Sequence, residues 1–131
     1  MHRYAWLLIG LAAPAFGADP APKAPAAGLQ RICGWVDNPT PANWEITDKN
    51  GTWTIGVQGG HQADGELPDF DQGSAFWKKT NGSYGYGCGC LTAKLETTPD
   101  GEKRVVRFTE VKVLRLTKCK ADKALPQGDH R

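Results

Sequence analysis

The chain has 131 residues, 16 Lys and Arg against 14 Asp and Glu, a formal net charge of +2, 40% hydrophobic residues and four cysteines. So even a balance lacks the basic excess of a phosphate-binding surface, which argues against nucleic acid as a partner. The length accommodates one ordinary domain and no second one.

His2 and Arg3 precede an apolar run over residues 4–13, followed by the small residues Ala15, Gly17 and Ala18 around Phe16. A positive start, an apolar stretch and a small-residue cleavage site predict a secretory signal peptide over residues 1–17. Cutting after Gly17 puts Ala15 and Gly17 where small side chains are needed, whereas cutting after Ala18 would put Phe16 there. The apolar run is about half of the ~20 residues a spanning helix requires, so no stable membrane insertion is expected. The first cysteine is Cys33, too far along for a lipid anchor at a new N-terminus. The expected location is periplasmic, with release from the cell as the alternative. Residues 18–28 are rich in Pro and Ala and have no apolar face, which predicts an extended tether. A single folded domain is expected over residues 29–125, with a flexible tail over 126–131.

Within the domain, residues 31–36 read as a strand ending at Asp37-Asn38-Pro39-Thr40-Pro41, where the prolines forbid regular helix. Residues 44–47 and 52–57 flank Asp48-Lys49-Asn50-Gly51, and Asn-Gly between β-rich runs is a strong hairpin signal. Residues 58–71 read as a long loop, and 74–79 as a single helical turn. In the strand expected over residues 84–95, Tyr84, Tyr86, Cys88 and Cys90 share one face and Gly85, Gly87 and Gly89 the other. From Leu91 the apolar residues change sides to Leu91, Ala93 and Leu95. A switch of buried face with glycines at the switch predicts a long, bent strand. Pro99-Asp100-Gly101 marks a turn, and residues 104–116 supply further β-rich runs that alternate imperfectly, predicting a bulge near Thr109 and Glu110. The sum is an all-β domain, a small antiparallel barrel or sandwich of five to six strands, with an OB-like barrel as the specific topology the bent strand favours.

An even cysteine count in a small exported domain predicts a disulfide scaffold, here from Cys33, Cys88, Cys90 and Cys119. In an extended strand Cys88 and Cys90 have α-carbons about 6.5 to 7 Å apart, at the limit for an unstrained bridge. Cys33 is therefore expected to pair with one of them and Cys119 with the other, which of the two being open. A zinc site is disfavoured because paired Cys-x-x-Cys knuckles are absent. The same absence leaves no redox-active dithiol motif. No metal and no cofactor are expected.

Several strings stand in a fixed order: Arg31-Ile32-Cys33-Gly34-Trp35, Asp37-Asn38-Pro39-Thr40-Pro41, Trp53-Thr54-Ile55-Gly56-Val57-Gln58-Gly59-Gly60-His61, Tyr84-Gly85-Tyr86-Gly87-Cys88 with Cys90, and Cys119-Lys120-Ala121-Asp122. In these the chain resembles the bacterial family called domain of unknown function 4087. The resemblance implies a small exported protein of Gram-negative bacteria. It carries over no activity and no functional residues.

Candidate chemistry concentrates in residues 56–66, where a flexible backbone carries Gln58, His61, Gln62, Asp64 and Glu66. His61 with these acids has the composition of an acid–base pair or a metal ligand set. Such a composition is also common in ordinary loops, so a structural role for His61 weighs more. Tyr84 and Tyr86, with the tryptophans, are candidates for stacking on a sugar or peptide, or for the core. Gly-rich residues 82–89 lack the Lys-Ser or Lys-Thr and the helix of a phosphate loop. Basic residues outnumber acidic ones after residue 90, which reads as solvated strand faces or as a patch for an acidic partner. The leading expectation is a non-enzymatic binding module that recognises another envelope protein, of inhibitor or immunity type. The alternatives are a metal-binding or hydrolytic protein using His61, and a cell-wall or polysaccharide contact through aromatics. Oligomeric state is not legible in the sequence.

Overall fold

A computed structural model describes residues 28–130. The leader expected over 1–17 and the tether, except Gly28, lie outside the described residues. The elements in chain order are β1 (Gln30–Thr40), β2 (Asn43–Asp48), β3 (Gly51–Gly56), β4 (Trp77–Asn81), β5 (Tyr84–Thr97), β6 (Lys103–Leu114) and α1 (Leu116–Ala121). They form one six-stranded sheet in the order β1-β2-β3-β6-β5-β4, and β1 pairs additionally with β5. That extra pairing bends the sheet into a ring. It stops short of a barrel because the β3–β6 ladder consists of Thr54 opposite Arg104 alone. The expected small all-β architecture of five to six strands with two disulfides is what the chain adopts.

The hairpin read from Asn50-Gly51 is present. Asp48 pairs with Gly51 around a Lys49-Asn50 turn. Asp48 Oδ1, buried at the turn, accepts from the Asn50 backbone N–H at 2.8 Å and from Trp53 Nε1 at 3.2 Å. Such local side-chain bonds hold turns of this kind. The expected bulge is also present: Thr92 faces Glu110 and Ala93 faces Phe108, so Thr109 has no partner.

Three expectations need correction. Strand β1 does not stop at Val36, because Asp37 and Asn38 continue the β5 ladder opposite Tyr86 and Gly85. The chain turns only after the register shift between Asp37 and Thr40, with Pro39 at that irregularity. The expected helical turn is confined to the Gly73 to Phe76 corner, where Phe76 N and Trp77 N bond the Gly73 carbonyl. Trp77, Lys78 and Lys79 belong instead to β4, whose carbonyl at Lys78 passes so close to Gly85 that a Cβ there would lie 1.9 Å away. Finally, the buried face of β5 does not switch. Both faces are buried through Ala93.

The odd-numbered face of β5 lines an inner core of Ile32, Val36, Ile46, Ile55, Leu91, Ala93, Val105 and Phe108. Where that face carries only glycine, Phe70 and Trp77 fill the space: Phe70 lies 2.9 Å from a Cβ built on Gly89, and Trp77 3.0 Å from one built on Gly87. The even-numbered face carries Tyr86 and Cys88 into a second cluster with Trp35, Leu116, Cys119 and Leu125. This outer cluster exists because α1, which the sequence reading did not anticipate, returns over the sheet. Leu116 and Cys119, one helical turn apart, are its buried residues.

The bridges are Cys33–Cys90, whose residues sit opposite each other in the β1–β5 ladder, and Cys88–Cys119, which fastens α1 to β5. The pairing choice left open by the sequence is thereby settled. Residues 126–130, expected as a tail, lie over the outer cluster: Trp35 Nε1 donates to the Pro126 carbonyl at 2.9 Å and Gln127 Nε2 to that of Cys119 at 3.1 Å.

Candidate functional site

The structure divides the sequence-derived candidates between two places. Gln58, His61, Gln62 and Asp64 lie along the seam where β3 meets β6. Ala63 N donates to the Ile55 carbonyl, Asp64 N to that of Val106, and Phe108 N to that of Asp64. The segment thus extends the sparse β3–β6 pairing, with Gln62 bridging Gly56 and Asp64 bridging Arg107. Gln58 N donates to Asn43 Oδ1 and Gln62 Nε2 to the Val57 carbonyl. His61 Nε2 lies 2.7 Å from the Val105 carbonyl, which can only accept, so this ring nitrogen carries the proton. Among the described residues no group of three or more His, Cys, Asp or Glu is placed to hold a metal.

Tyr84 and Tyr86 lie instead on β5. Tyr84 is half-buried at the strand's start, and Tyr86 points into the outer cluster. Tyr86 also borders an open groove of about 630 Å³ between β4 and α1. Trp77, Tyr86 and Leu116 line it, with Lys78, Lys79 and Lys120 beside them and Asp71, Gly73 and Ser74 completing the wall.

The fold explains why these residues meet. Leu116 and Lys120 are four residues apart on α1 and so share a face, which sets the Lys120 side chain over the Leu116 end of the groove. Trp77 is held by its Nε1 donating to the Ser83 carbonyl at 3.1 Å, across the β4–β5 hairpin. Leu116 N donates to the Ala75 carbonyl, tying the start of α1 to the corner before β4. Next to the groove, the Arg115 guanidinium sits 5.2 Å from the Phe76 ring centroid, a cation–π distance.

The electrostatics of the groove are one-sided. Three lysines face a single carboxylate, Asp71, whose Oδ2 is 3.9 Å from Lys79 Nζ on an exposed surface. The Tyr86 phenol is pushed up by burial, then by the nearby Asp37 carboxylate, which keeps it protonated. The lining residues include no histidine, cysteine or carboxylate pair. Three lysines against one carboxylate suit this groove to an anionic ligand.

Sequence reasoning missed the groove because Lys78 and Lys79 fall in the stretch read as a helical turn and α1, which carries Lys120, was not anticipated. Of the three, only Lys120 belongs to the basic excess after residue 90.

A second polar cluster lies at the other end of Tyr86. Asp37 and Glu45 are directly opposed across β1 and β2, and His130 Nε2 is 2.8 and 3.0 Å from the two carboxylate oxygens of Asp37. Burial raises the Glu45 carboxyl, the Asp37 charge raises it further, and His130 works in the opposite direction.

Among the described residues no helix is long and apolar enough to cross a membrane. The two disulfides point to an oxidising, non-cytoplasmic compartment. No curated protein and no solved structure matches the chain. Its sequence does fit one family over residues 27–126, which covers β1 to α1 and all four cysteines, and the chain therefore belongs to the family described as Protein of unknown function (DUF4087).

Proposed function

We propose that this domain is a non-enzymatic recognition module of the periplasm, which binds an acidic segment of another envelope protein in the groove between β4 and α1. The observation that carries this reading is that Lys78, Lys79 and Lys120 all border the groove, beside Tyr86 and Leu116, with Asp71 as the one carboxylate in its wall. A groove bordered by lysines accepts an extended acidic chain, the lysines taking its carboxylates. A scaffold held by two disulfides keeps that surface pre-organised, which lowers the ordering cost of binding. The leader read over residues 1–17 supports the compartment.

The competing readings have less behind them. A sugar platform needs a flat exposed ring, but Trp77 and Tyr86 are only 6% and 5% exposed. The neighbouring Trp44, Phe70 and Trp77 rings are tilted by 41 to 45° to one another. An enzyme built on His61 needs acids converging on it, and the hydrogen-bond partner of its ring is a backbone carbonyl.

The test is a titration of the oxidised protein with an Asp- and Glu-rich peptide, followed by calorimetry at two salt concentrations. Binding should weaken with salt and fall by about tenfold or more in a Lys78→Glu, Lys79→Glu, Lys120→Glu variant, since each exposed charge contributes on the order of 0.5 kcal/mol. Equal affinity in the variant, or saturable binding of a neutral glycan in place of the peptide, would overturn the reading.

A further inference from the structure

The two disulfides sit in contrasting surroundings. Cys88 and Cys119 are 1% and 2% exposed within the outer cluster. Cys90 is 4% exposed, but its partner Cys33 is an exposed residue on the wall of an open cleft of about 440 Å³. This cleft shares no residue with the lysine-rimmed groove. Arg31, Lys49 and Asn50 line it together with Asp48, Asp122 and Leu125. Both of its acids are engaged in turns, Asp48 Oδ1 accepting from Asn50 N and Asp122 Oδ1 from Ala124 N. Arg31 and Lys49 are exposed.

The covalent roles differ as well. Cys88–Cys119 is the link that fastens the short helix α1 to the sheet. Cys33–Cys90 joins two strands that are already hydrogen-bonded in an unbroken ladder from Gln30 opposite Ala93 to Asn38 opposite Gly85. Cutting this second bridge leaves the neighbouring strands paired by their backbones, so the bond can open without the sheet opening.

We propose that Cys33–Cys90 is a thiol-exchange site and that Cys33 takes an anionic low-molecular-weight thiol from the cleft. The thiolate attacks Cys33 Sγ and a new sulfur–sulfur bond forms between the two. The Cys33–Cys90 bond breaks, and its electron pair leaves on Cys90 Sγ, which takes up a proton from water. A second equivalent of the same thiol resolves the adduct, releasing Cys33 as a thiol and the small molecule as its own disulfide. Cys33 is the exposed half of the bridge and so the accessible electrophile, and Arg31 and Lys49 favour approach of an anion. Lacking a Cys-x-x-Cys pair, the protein acts here as a substrate of thiols and not as an oxidoreductase. The inference does not depend on the groove between β4 and α1.

The experiment uses the folded, oxidised protein and glutathione under non-denaturing conditions. The reaction is stopped with acid and maleimide and digested without reduction for peptide mass mapping. The expected product carries glutathione on Cys33 and maleimide on Cys90, with Cys88–Cys119 intact for at least about ten times longer. Reversing the cleft charges with Arg31→Glu and Lys49→Glu should slow the first step several-fold. Glutathione on Cys90, Cys88 or Cys119, or loss of both bridges together at the rate of global unfolding, would overturn the assignment. So would a rate that ignores the two charge reversals.

Discussion

His130 lies flat on Trp35, with ring centroids 4.5 Å apart and planes 7° from parallel. Tyr86 meets both rings edge-on, at 5.6 Å from Trp35 and 4.7 Å from His130. Trp35 is completely buried, and the last described residues are part of what buries it. Residues 126–130 therefore close over the outer core, clamped by the stack and by the contact of His130 with Asp37.

His130→Ala should destabilise the protein by about 1 to 2 kcal/mol, combining a lost aromatic stack with a partly buried Asp37 left without its partner. Urea unfolding measures the loss, and the same variant should red-shift the tryptophan emission in the native state as Trp35 gains water. Wild-type stability and an unchanged spectrum would mean that the stack does not form in solution.

Asp37 and Glu45 face each other across β1 and β2, and this makes a pH dependence predictable. Burial first, then Asp37, lifts the folded-state pKa of Glu45 above its ordinary value of 4.5. A carboxyl with a raised folded-state pKa holds its proton more tightly in the native state than in the unfolded one. Stability therefore falls as pH rises from the ordinary carboxylate value through the raised one. Glu45→Gln cannot ionise and escapes that loss. Melting temperatures of variant and wild type should be closest near pH 4 and separate in favour of the variant by about pH 7. A gap that stays constant or narrows with pH contradicts the assignment.

Two glycines separate steric need from conformational need. A Cβ on Gly34 would lie 1.8 Å from the backbone carbonyl oxygen of Thr47, so β2 must move for Gly34→Ala to fit. That substitution should cost roughly 3 kcal/mol or more and reduce soluble yield. Gly59 has φ +76° and nothing within 4 Å of its Cβ position, so Gly59→Ala should cost only about 1 kcal/mol. Similar melting temperatures for the two variants would show that β1 and β2 are not so closely packed.

What was legible in the sequence was local or geometrically forced. The Asn50-Gly51 hairpin follows from turn chemistry, and the division of Cys88 and Cys90 between two partners follows from strand spacing. The second buried face of β5 was not legible, because the glycines at 85, 87 and 89 hide what packs on them, Trp77 from a strand that was read as a helical turn and Phe70 from the loop before it. Helix α1 escaped for a related reason. Six residues are too few to be stable on propensity alone, and this helix is held by Leu116, Cys119 and the bridge to Cys88. Without α1 in view, Lys120 could not be placed beside Lys78 and Lys79, so the groove was invisible while the His61 loop looked richer than its geometry proves.

Removing the disulfides one at a time distinguishes stability from function. Their sequence separations are 57 for Cys33–Cys90 and 31 for Cys88–Cys119, so the chain-entropy argument assigns each about 4 kcal/mol. Cys33→Ser/Cys90→Ser and Cys88→Ser/Cys119→Ser should therefore lower stability by comparable amounts. Their effects on acidic-peptide binding should differ, because Leu116 and Lys120 reach the groove from α1 and only the second bridge fastens that helix. At a temperature where both variants remain folded, the Cys88→Ser/Cys119→Ser protein should bind the peptide several-fold more weakly than wild type. The Cys33→Ser/Cys90→Ser protein should retain wild-type affinity. Calorimetric titration of the two, side by side, makes the comparison. Equal loss in both would mean that affinity follows global stability, and equal retention would mean that the groove does not need α1 and that Lys120 is not part of it.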